Sequence, residues 1–390
     1  MLSTTMLCTL CGGNFSLDEP IWSCLACGSL LELRLQLTDL PAYEWSAIVS
    51  AARGSFPAPG IWRHAGLIPV NAMDPVTLGE GNTPVIPLRT LGLRLGLPHL
   101  YAKMECLAPT GSFKDRGTAV MITKARDLGV ERVVEDSSGN AGASVAAYCA
   151  KAGIAASIYV PASAPPAKKA QIGFYGAEVV AVEGTREAVT EAALERCRRD
   201  GAYYASHNWN PYFLEGTKTF AYEVATEFEN NLPEHLVVPV GNGSLFLGAW
   251  KGFRELRALG MVEKSPRMHV AQATGCMPIV DGYLKKLKRP EVIPTFPTVA
   301  GGISIARPSR GHLILKAMAD SGGGGAAVTD EEILSYQRLL ATTEGIFCEP
   351  TSAAAFAALP RLVEQGSINP GERVLVAVTG LGLKDTSVLA

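Results

Sequence analysis

The stretch Pro109-Thr110-Gly111-Ser112-Phe113-Lys114-Asp115-Arg116-Gly117 places a lysine just after a turn shaped by proline and glycine. Residues 100–106 read as a strand and residues 113–128 as a helix, so Lys114 stands where strand gives way to helix. At a helix N-terminus the positive end of the dipole and partial burial both lower an amine's pKa. That favours the neutral nucleophile, able to form a Schiff base with a carbonyl compound. A lysine taken alone is usually a solvated one, and it is the company Lys114 keeps further along the chain that argues for chemistry.

A second group of residues points to a metal. Cys8-Thr9-Leu10-Cys11 and Cys24-Leu25-Ala26-Cys27 form C-x2-C-x12-C-x2-C, and a glycine follows each pair, Gly12 and Gly28. A two-residue gap lets both sulfurs of a turn face one ion, and the glycine lets backbone N–H groups point at the sulfurs. The twelve intervening residues are fewer than in the usual ribbon. Four thiolates complete a tetrahedral zinc site and leave no open position, so Cys8, Cys11, Cys24 and Cys27 are expected to hold a structural ion, against the alternative of unligated reduced cysteines. Cys106, Cys149, Cys197, Cys276 and Cys348 show no pairing pattern and read as buried or half-buried thiols.

The elements that must position these groups follow from composition and periodicity. A chain of 390 residues with 47% hydrophobic and 18% charged residues and a net charge of −2 can bury a large core. It lacks the basic excess of a nucleic-acid binder and the charge density of a disordered chain. No apolar run approaches the roughly 20 residues needed to span a bilayer, and Met1-Leu2-Ser3-Thr4-Thr5 lacks the basic start of a signal peptide, so a soluble, cytoplasmic protein is expected. Residues 31–37 alternate weakly, as an edge strand does, 45–53 read as a short helix, and Leu78-Gly79-Glu80-Gly81-Asn82-Thr83-Pro84, taken alone, as a surface loop. Then a rhythm begins: strands at 132–135, 156–160 and 178–182 alternate with helices at 143–151, 167–175 and 186–199, and the pattern resumes after residue 214. Such alternation predicts an α/β fold with parallel sheets and right-handed crossovers.

Two glycine-bearing turns in this rhythm read as anion sites. Glu135-Asp136-Ser137-Ser138-Gly139-Asn140-Ala141-Gly142 joins a strand to a helix, and Pro239-Val240-Gly241-Asn242-Gly243-Ser244-Leu245 does the same after the apolar strand 236–240. Free N–H groups and the positive dipole end can hold a phosphate or carboxylate at either. Neither fits G-x-G-x-x-G or a P-loop, and tight turns also want Gly, Ser and Asn for conformational reasons alone.

Taken in order, the lysine turn, the Ser-Ser-Gly-Asn turn, the Gly-Asn-Gly-Ser turn, Leu78 to Pro84, Glu215-Gly216-Thr217-Lys218-Thr219, Cys348-Glu349-Pro350-Thr351-Ser352-Ala353 and Thr379-Gly380-Leu381-Gly382-Leu383-Lys384-Asp385 form a constellation. It resembles the β-family (fold type II) of pyridoxal-phosphate enzymes, closest to the threonine synthase family, over residues 75–387; some members and the related cysteate synthase carry a similar four-cysteine module. The resemblance implies two parallel-sheet α/β domains of the tryptophan synthase β-like kind after a small zinc-ribbon-like module. The expected limits are 1–35 for the module, 36–117 with 211–390 for the large domain, and 118–210 for the small one. It further implies a lyase that works as a homodimer on an amino acid with a leaving group at Cβ or Cγ, by elimination or replacement. Lys114 is then the catalytic residue and holds pyridoxal 5′-phosphate, which Phe113 flanks. Asn140 bonds the cofactor's 3′-oxygen, Gly241, Asn242, Gly243, Ser244 and Leu245 wrap its phosphate, and Thr379 faces the pyridine nitrogen. Ser137, Ser138, Gly139 and Arg116 take the substrate. A hydroxyl at Thr379 cannot keep that nitrogen protonated, so the ring is a weaker electron sink, suited to elimination and replacement rather than transamination.

The departures from the family pattern cluster. The asparagine turn of threonine synthases usually reads Ser-Thr-Gly-Asn-Thr, whereas this chain has Ser138 and Ala141, and where Asn-Pro-x-Arg grips a substrate phosphate it has Asn210-Pro211-Tyr212-Phe213. A dianionic phosphate wants charge-assisted partners, so these changes predict poor turnover of phosphorylated homoserine unless Arg116, Lys218, Arg307 or Arg310 compensate. The alternatives are a serine/threonine ammonia-lyase-like dehydratase, a cysteate-synthase-like replacement enzyme and, from outside enzymology, a silent zinc-ribbon interaction protein. An intact Lys114, Asn140 and Thr379 argue against the last.

Overall fold

The computed structural model describes residues 2–37, 60–137, 139–164 and 166–385. By contacts the chain forms two compact units, one of residues 1–82, 108–110 and 114–219, the other of 83–107, 111–113 and 220–390. The helix expected at 45–53 lies outside the described residues.

The first unit begins with a three-stranded antiparallel sheet in the order Asn14–Phe15, Thr4–Cys8, Leu31–Leu35. The strand expected at 31–37 is thus an edge, shorter by two residues. Met6, Leu31 and Leu33 are buried in one core with Val120, Tyr148, Tyr212 and Phe213, so this small sheet packs on the rest of its unit. Next comes a four-stranded parallel sheet in the order Glu178–Val182, Ala155–Pro161, Arg132–Glu135, Tyr203–Tyr204. Helix Asn140–Ala152 is built from small residues and lies between this sheet and helix Lys114–Asp127. It starts three residues earlier than expected because the turn itself winds into its first residues; a side chain on Gly142 would sit 2.0 Å from the carbonyl oxygen of Ser137.

The second unit holds a six-stranded sheet in the order Gly325–Val328, Arg267–Ala273, His235–Pro239, Val374–Ala377, Leu100–Lys103, Val85–Pro87, parallel except for its last pair. His235–Pro239 and Val374–Ala377 are buried at every residue, and apart from His235 they are unbroken apolar runs. The strand expected at 100–106 stops at Lys103: the N–H of Met104 turns to the carbonyl of Pro84, and residues 105–107 form a 3₁₀ turn. Lys103 is fully buried, its charge met by Glu223 at 3.1 Å and Glu227 at 2.8 Å.

Candidate active site and cysteine cluster

In the first unit Lys114 opens the helix Lys114–Asp127, as its turn implied. The residue beside it does the anchoring. Asp115 is fully buried and accepts hydrogen bonds from the N–H of Thr110 at 2.7 Å, the hydroxyl of Thr110 at 2.6 Å and the hydroxyl of Ser144 at 2.6 Å. This ties the turn before the lysine to helix Asn140–Ala152. Burial raises the Asp115 carboxyl from 3.8 to about 6 against the pull of these donors, with the Glu80 charge adding to the rise. Sequence reasoning singled out Lys114 and missed Asp115; an acid in the first turn of the helix is the signal that could have found it.

Phe213 is fully buried with its ring centroid 5.8 Å from Lys114 Nζ and 5.9 Å from the His207 ring. It fits because position 117 is glycine: a Cβ there would lie 2.6 Å from the ring. The departure at 213 therefore stands beside the lysine. His207 Nδ1 is 2.8 Å from Glu135 Oε1, and the His207 N–H donates to Glu135 Oε2 at 3.2 Å. Burial holds the Glu135 carboxyl well above the usual range, with Asp136 reinforcing it, while burial and then Lys114 and Arg186 hold the His207 imidazole well below its own. Of the cations expected to compensate for Phe213, Arg116 is fully buried and donates to Thr219 at 3.2 Å, and Lys218 is fully buried against Glu215 at 2.6 Å.

The turn at 136–140 follows strand Arg132–Glu135. The N–H of Gly139 donates to Ser137 Oγ at 3.3 Å, and Asn140 opens its helix with Gly139 as the cap residue, which offers no side-chain oxygen to the first-turn N–H groups. Ala141 is buried. Ser138 lies outside the described residues. The loop at 78–84 is more than a surface loop: Glu80 is fully buried and accepts from Trp62 Nε1 at 2.7 Å, Tyr148 Oη at 2.7 Å and the N–H of Leu78 at 3.0 Å.

In the second unit, strands His235–Pro239 and Val374–Ala377 are parallel neighbours, so residues 241–245 and Thr379 emerge from the same end of the sheet, where open α/β sheets bind ligands. Gly243 has φ +77° and caps helix Ser244–Ala258 without a side-chain oxygen. A Cβ on Gly241 would meet Ile305 Cγ1 at 2.9 Å. Asn242 Oδ1 accepts from the N–H of Ser309 at 3.4 Å, and the Ser309 hydroxyl is buried with no hydrogen-bond partner among the described residues. A helix N-terminus without a side-chain cap, glycines at 241 and 243 and an orphan hydroxyl together suit a phosphate. Residues 111–113 pair with 379–381: Phe113 N–H donates to Thr379 O at 3.1 Å, Leu381 N–H to Gly111 O at 2.9 Å, and Ser112 bridges Gly380. The Thr379 hydroxyl is 2.9 Å from Ser352 Oγ, which also accepts from the N–H of Gly380 at 3.0 Å. Arg310 is buried and Arg307 exposed.

The sulfurs of Cys8, Cys11, Cys24 and Cys27 all lie within 4.8 Å of one another. The N–H groups of Leu10 and Cys11 each reach Cys8 Sγ at 3.4 Å, and Gly12 and Gly28 have φ +72° and +68°, as the doubled motif required. Cys106, Cys149, Cys276 and Cys348 are buried and Cys197 half-buried, with burial pushing Cys106 up to about 12.

The pattern of the family described as "Pyridoxal-phosphate dependent enzyme" matches residues 76–380. Threonine synthase of Methanocaldococcus jannaschii is 39% identical over 385 residues, 97% of this chain and 92% of that protein. Threonine synthase of Methanosarcina acetivorans is 38% identical over 382 residues, 97% and 91%. In fold, the structure of maize serine racemase superposes with a TM-score of 0.68 at 21% identity, covering 79% of this chain and 90% of that one. No helix among the described residues is long and apolar enough to cross a membrane. The chain belongs to the pyridoxal-phosphate-dependent enzymes, within which it is a lyase of the threonine synthase family.

Proposed function

We propose that the chain acts on an amino acid with a leaving group at Cγ, removing the group and adding water at Cβ to form threonine, the product in its relatives' name. The observation that carries this reading is the pairing of residues 111–113 with 379–381, which ties the approach to Lys114 to the hydroxyl-bearing Thr379. Pyridoxal phosphate, when bound, supplies the electron sink for charge developing next to the substrate's α-carbon. Lys114 holds the cofactor and then moves protons at Cα and the carbons beyond it. Phe113 flanks the ring, Asn140 bonds its 3′-oxygen, and the N–H groups of residues 241–245 take the phosphate, helped by the Ser309 hydroxyl. Thr379 faces the ring nitrogen, its hydroxyl 2.9 Å from Ser352 Oγ and within donating distance of Glu349 Oε1 at 3.5 Å. Ser137, Ser138 and Gly139 receive the α-carboxylate at the start of helix Asn140–Ala152, and Arg116 adds positive charge on the Lys114 helix. The domain limits carried with this reading are 1–35, 36–117 with 211–390, and 118–210; the assembly is a cytoplasmic homodimer, checked by sedimentation of the purified protein. Cys8, Cys11, Cys24 and Cys27 hold one structural zinc.

Phe213 favours a second reading, a smaller or less charged leaving group. It gives Lys114 an apolar neighbour, and Arg116 and Lys218 are already engaged by Thr219 and Glu215. Each missing charge-assisted contact weakens binding by ~1.5–3 kcal/mol, and two lower kcat/KM by roughly 10² to 10⁴. A side-by-side assay of O-phosphohomoserine, O-phosphoserine, serine, threonine and O-acetylated amino acids decides. Threonine formed from phosphohomoserine at the highest kcat/KM supports the first reading and directs attention to Arg307 and Arg310; a better substrate among the others supports the second.

A further inference from the structure

Trp22 lies between the two cysteine pairs, two residues before Cys24. Its indole is half-buried and meets two aromatic rings edge-on, Tyr204 at 4.8 Å and Trp209 at 5.8 Å. Neither ring is a passive neighbour. The Tyr204 hydroxyl donates to Asp136 Oδ1 at 2.9 Å, while Asp136 Oδ2 accepts from Thr190 Oγ1 at 2.6 Å and from Arg186 at 2.9 Å. Asp136 is the residue before Ser137, and its carboxylate is almost wholly buried, so these three donors hold the residue that leads into Ser137. The Trp209 N–H donates to Ser206 O across the loop that carries His207, which is bonded to Glu135.

We infer that Trp22 is a positioning residue through which the four-cysteine module, by way of Tyr204 and Asp136, sets the turn that receives the substrate's α-carboxylate. The inference rests on the reading of residues 137–139 given above. Edge-on is a favoured arrangement of aromatic rings that adds to their burial, so the module restrains Tyr204 and thereby the hydrogen bond to Asp136. Loss of that restraint loosens ground-state binding and leaves the proton transfers of Lys114 alone, which is a change in KM without a matching change in kcat.

The test compares Trp22→Ala, Trp22→Phe and Tyr204→Phe with the parent holoenzyme, using the amino acid turned over best in the assay above. Tyr204→Phe keeps the ring against Trp22 and deletes only its hydroxyl. Hydrogen exchange of the amides at 136–142 is followed without substrate. Expected are faster exchange there in Trp22→Ala and Tyr204→Phe, KM raised about 5- to 10-fold with kcat within about twofold, and recovery in Trp22→Phe. Faster exchange with KM unchanged upholds the coupling and overturns the assignment of the turn to the carboxylate. Folded Trp22→Ala and Tyr204→Phe proteins with parental exchange and parental KM overturn the inference.

Discussion

Lys114 is the residue to which the proposed function assigns the cofactor, and its prediction is direct. The purified protein should absorb at the violet end of the visible spectrum, borohydride should bleach that band, and peptide mapping should find the label on Lys114. Lys114→Ala should lose both label and turnover; a labelled, active variant would refute the assignment. Asp115 carries a second prediction, in pH. Its carboxyl is raised from 3.8 to about 6 in the folded chain, first by burial. Between these values the folded state binds a proton that the unfolded state has released, so its contribution to stability is present below about pH 4 and is lost as the pH rises through 6. Asp115→Asn should flatten the fall in unfolding free energy over that window, read from denaturant melts at each pH. An unchanged slope would remove Asp115 from the account. The turns that carry Lys114 and Thr379 stood out in sequence because each is a local motif. Asp115 with Ser144, and Phe213 with Gly117, did not, since those partners lie 29 residues apart in one case and meet only through helix packing in the other.

Among elements, short strands bounded by turn residues were the most legible. Strands 132–135 and 178–182 were placed to the residue because apolar runs end in turn residues on both sides. Boundaries slipped where backbone bonding, not side-chain pattern, decides: at Lys103, where Met104 turns to Pro84, and at Asn140, where the turn already winds as helix. The uncapped helix Ser244–Ala258 gives a prediction of its own. Gly243→Ala puts a side chain at φ +77° and 2.5 Å from Ile314 Cδ1. The left-handed conformation alone costs ~1–2 kcal/mol, so the melting temperature should drop and the apoprotein should bind pyridoxal phosphate at least about tenfold more weakly by absorbance titration. The cysteine module is the other element with a clear test. Replacing Cys8 and Cys11 with serine should abolish one bound zinc per chain, measured by metal analysis, and increase exchange in residues 4–35, while the cofactor spectrum persists. Zinc-free parent protein purified under reducing conditions would rule the ion out.

At the scale of the whole molecule, neither compact unit is a continuous stretch of chain: each is assembled from three segments, and the polypeptide passes from one to the other several times between residues 82 and 220. This interleaving is the part of the architecture that periodicity could not reveal, because a strand's pattern reports that it is buried and not which strands flank it. Strand Val374–Ala377 lies inside the six-stranded sheet, between His235–Pro239 and Leu100–Lys103, and is the last strand of that sheet in chain order. On a ribosome, both flanking strands therefore emerge long before the one that joins them, each with an open, apolar edge. The second unit completes this sheet only once residues 374–377 have been made, so a chain broken ahead of residue 374 is not a shortened enzyme but a product with two unpaired edges, the kind that chaperones retain and proteases clear.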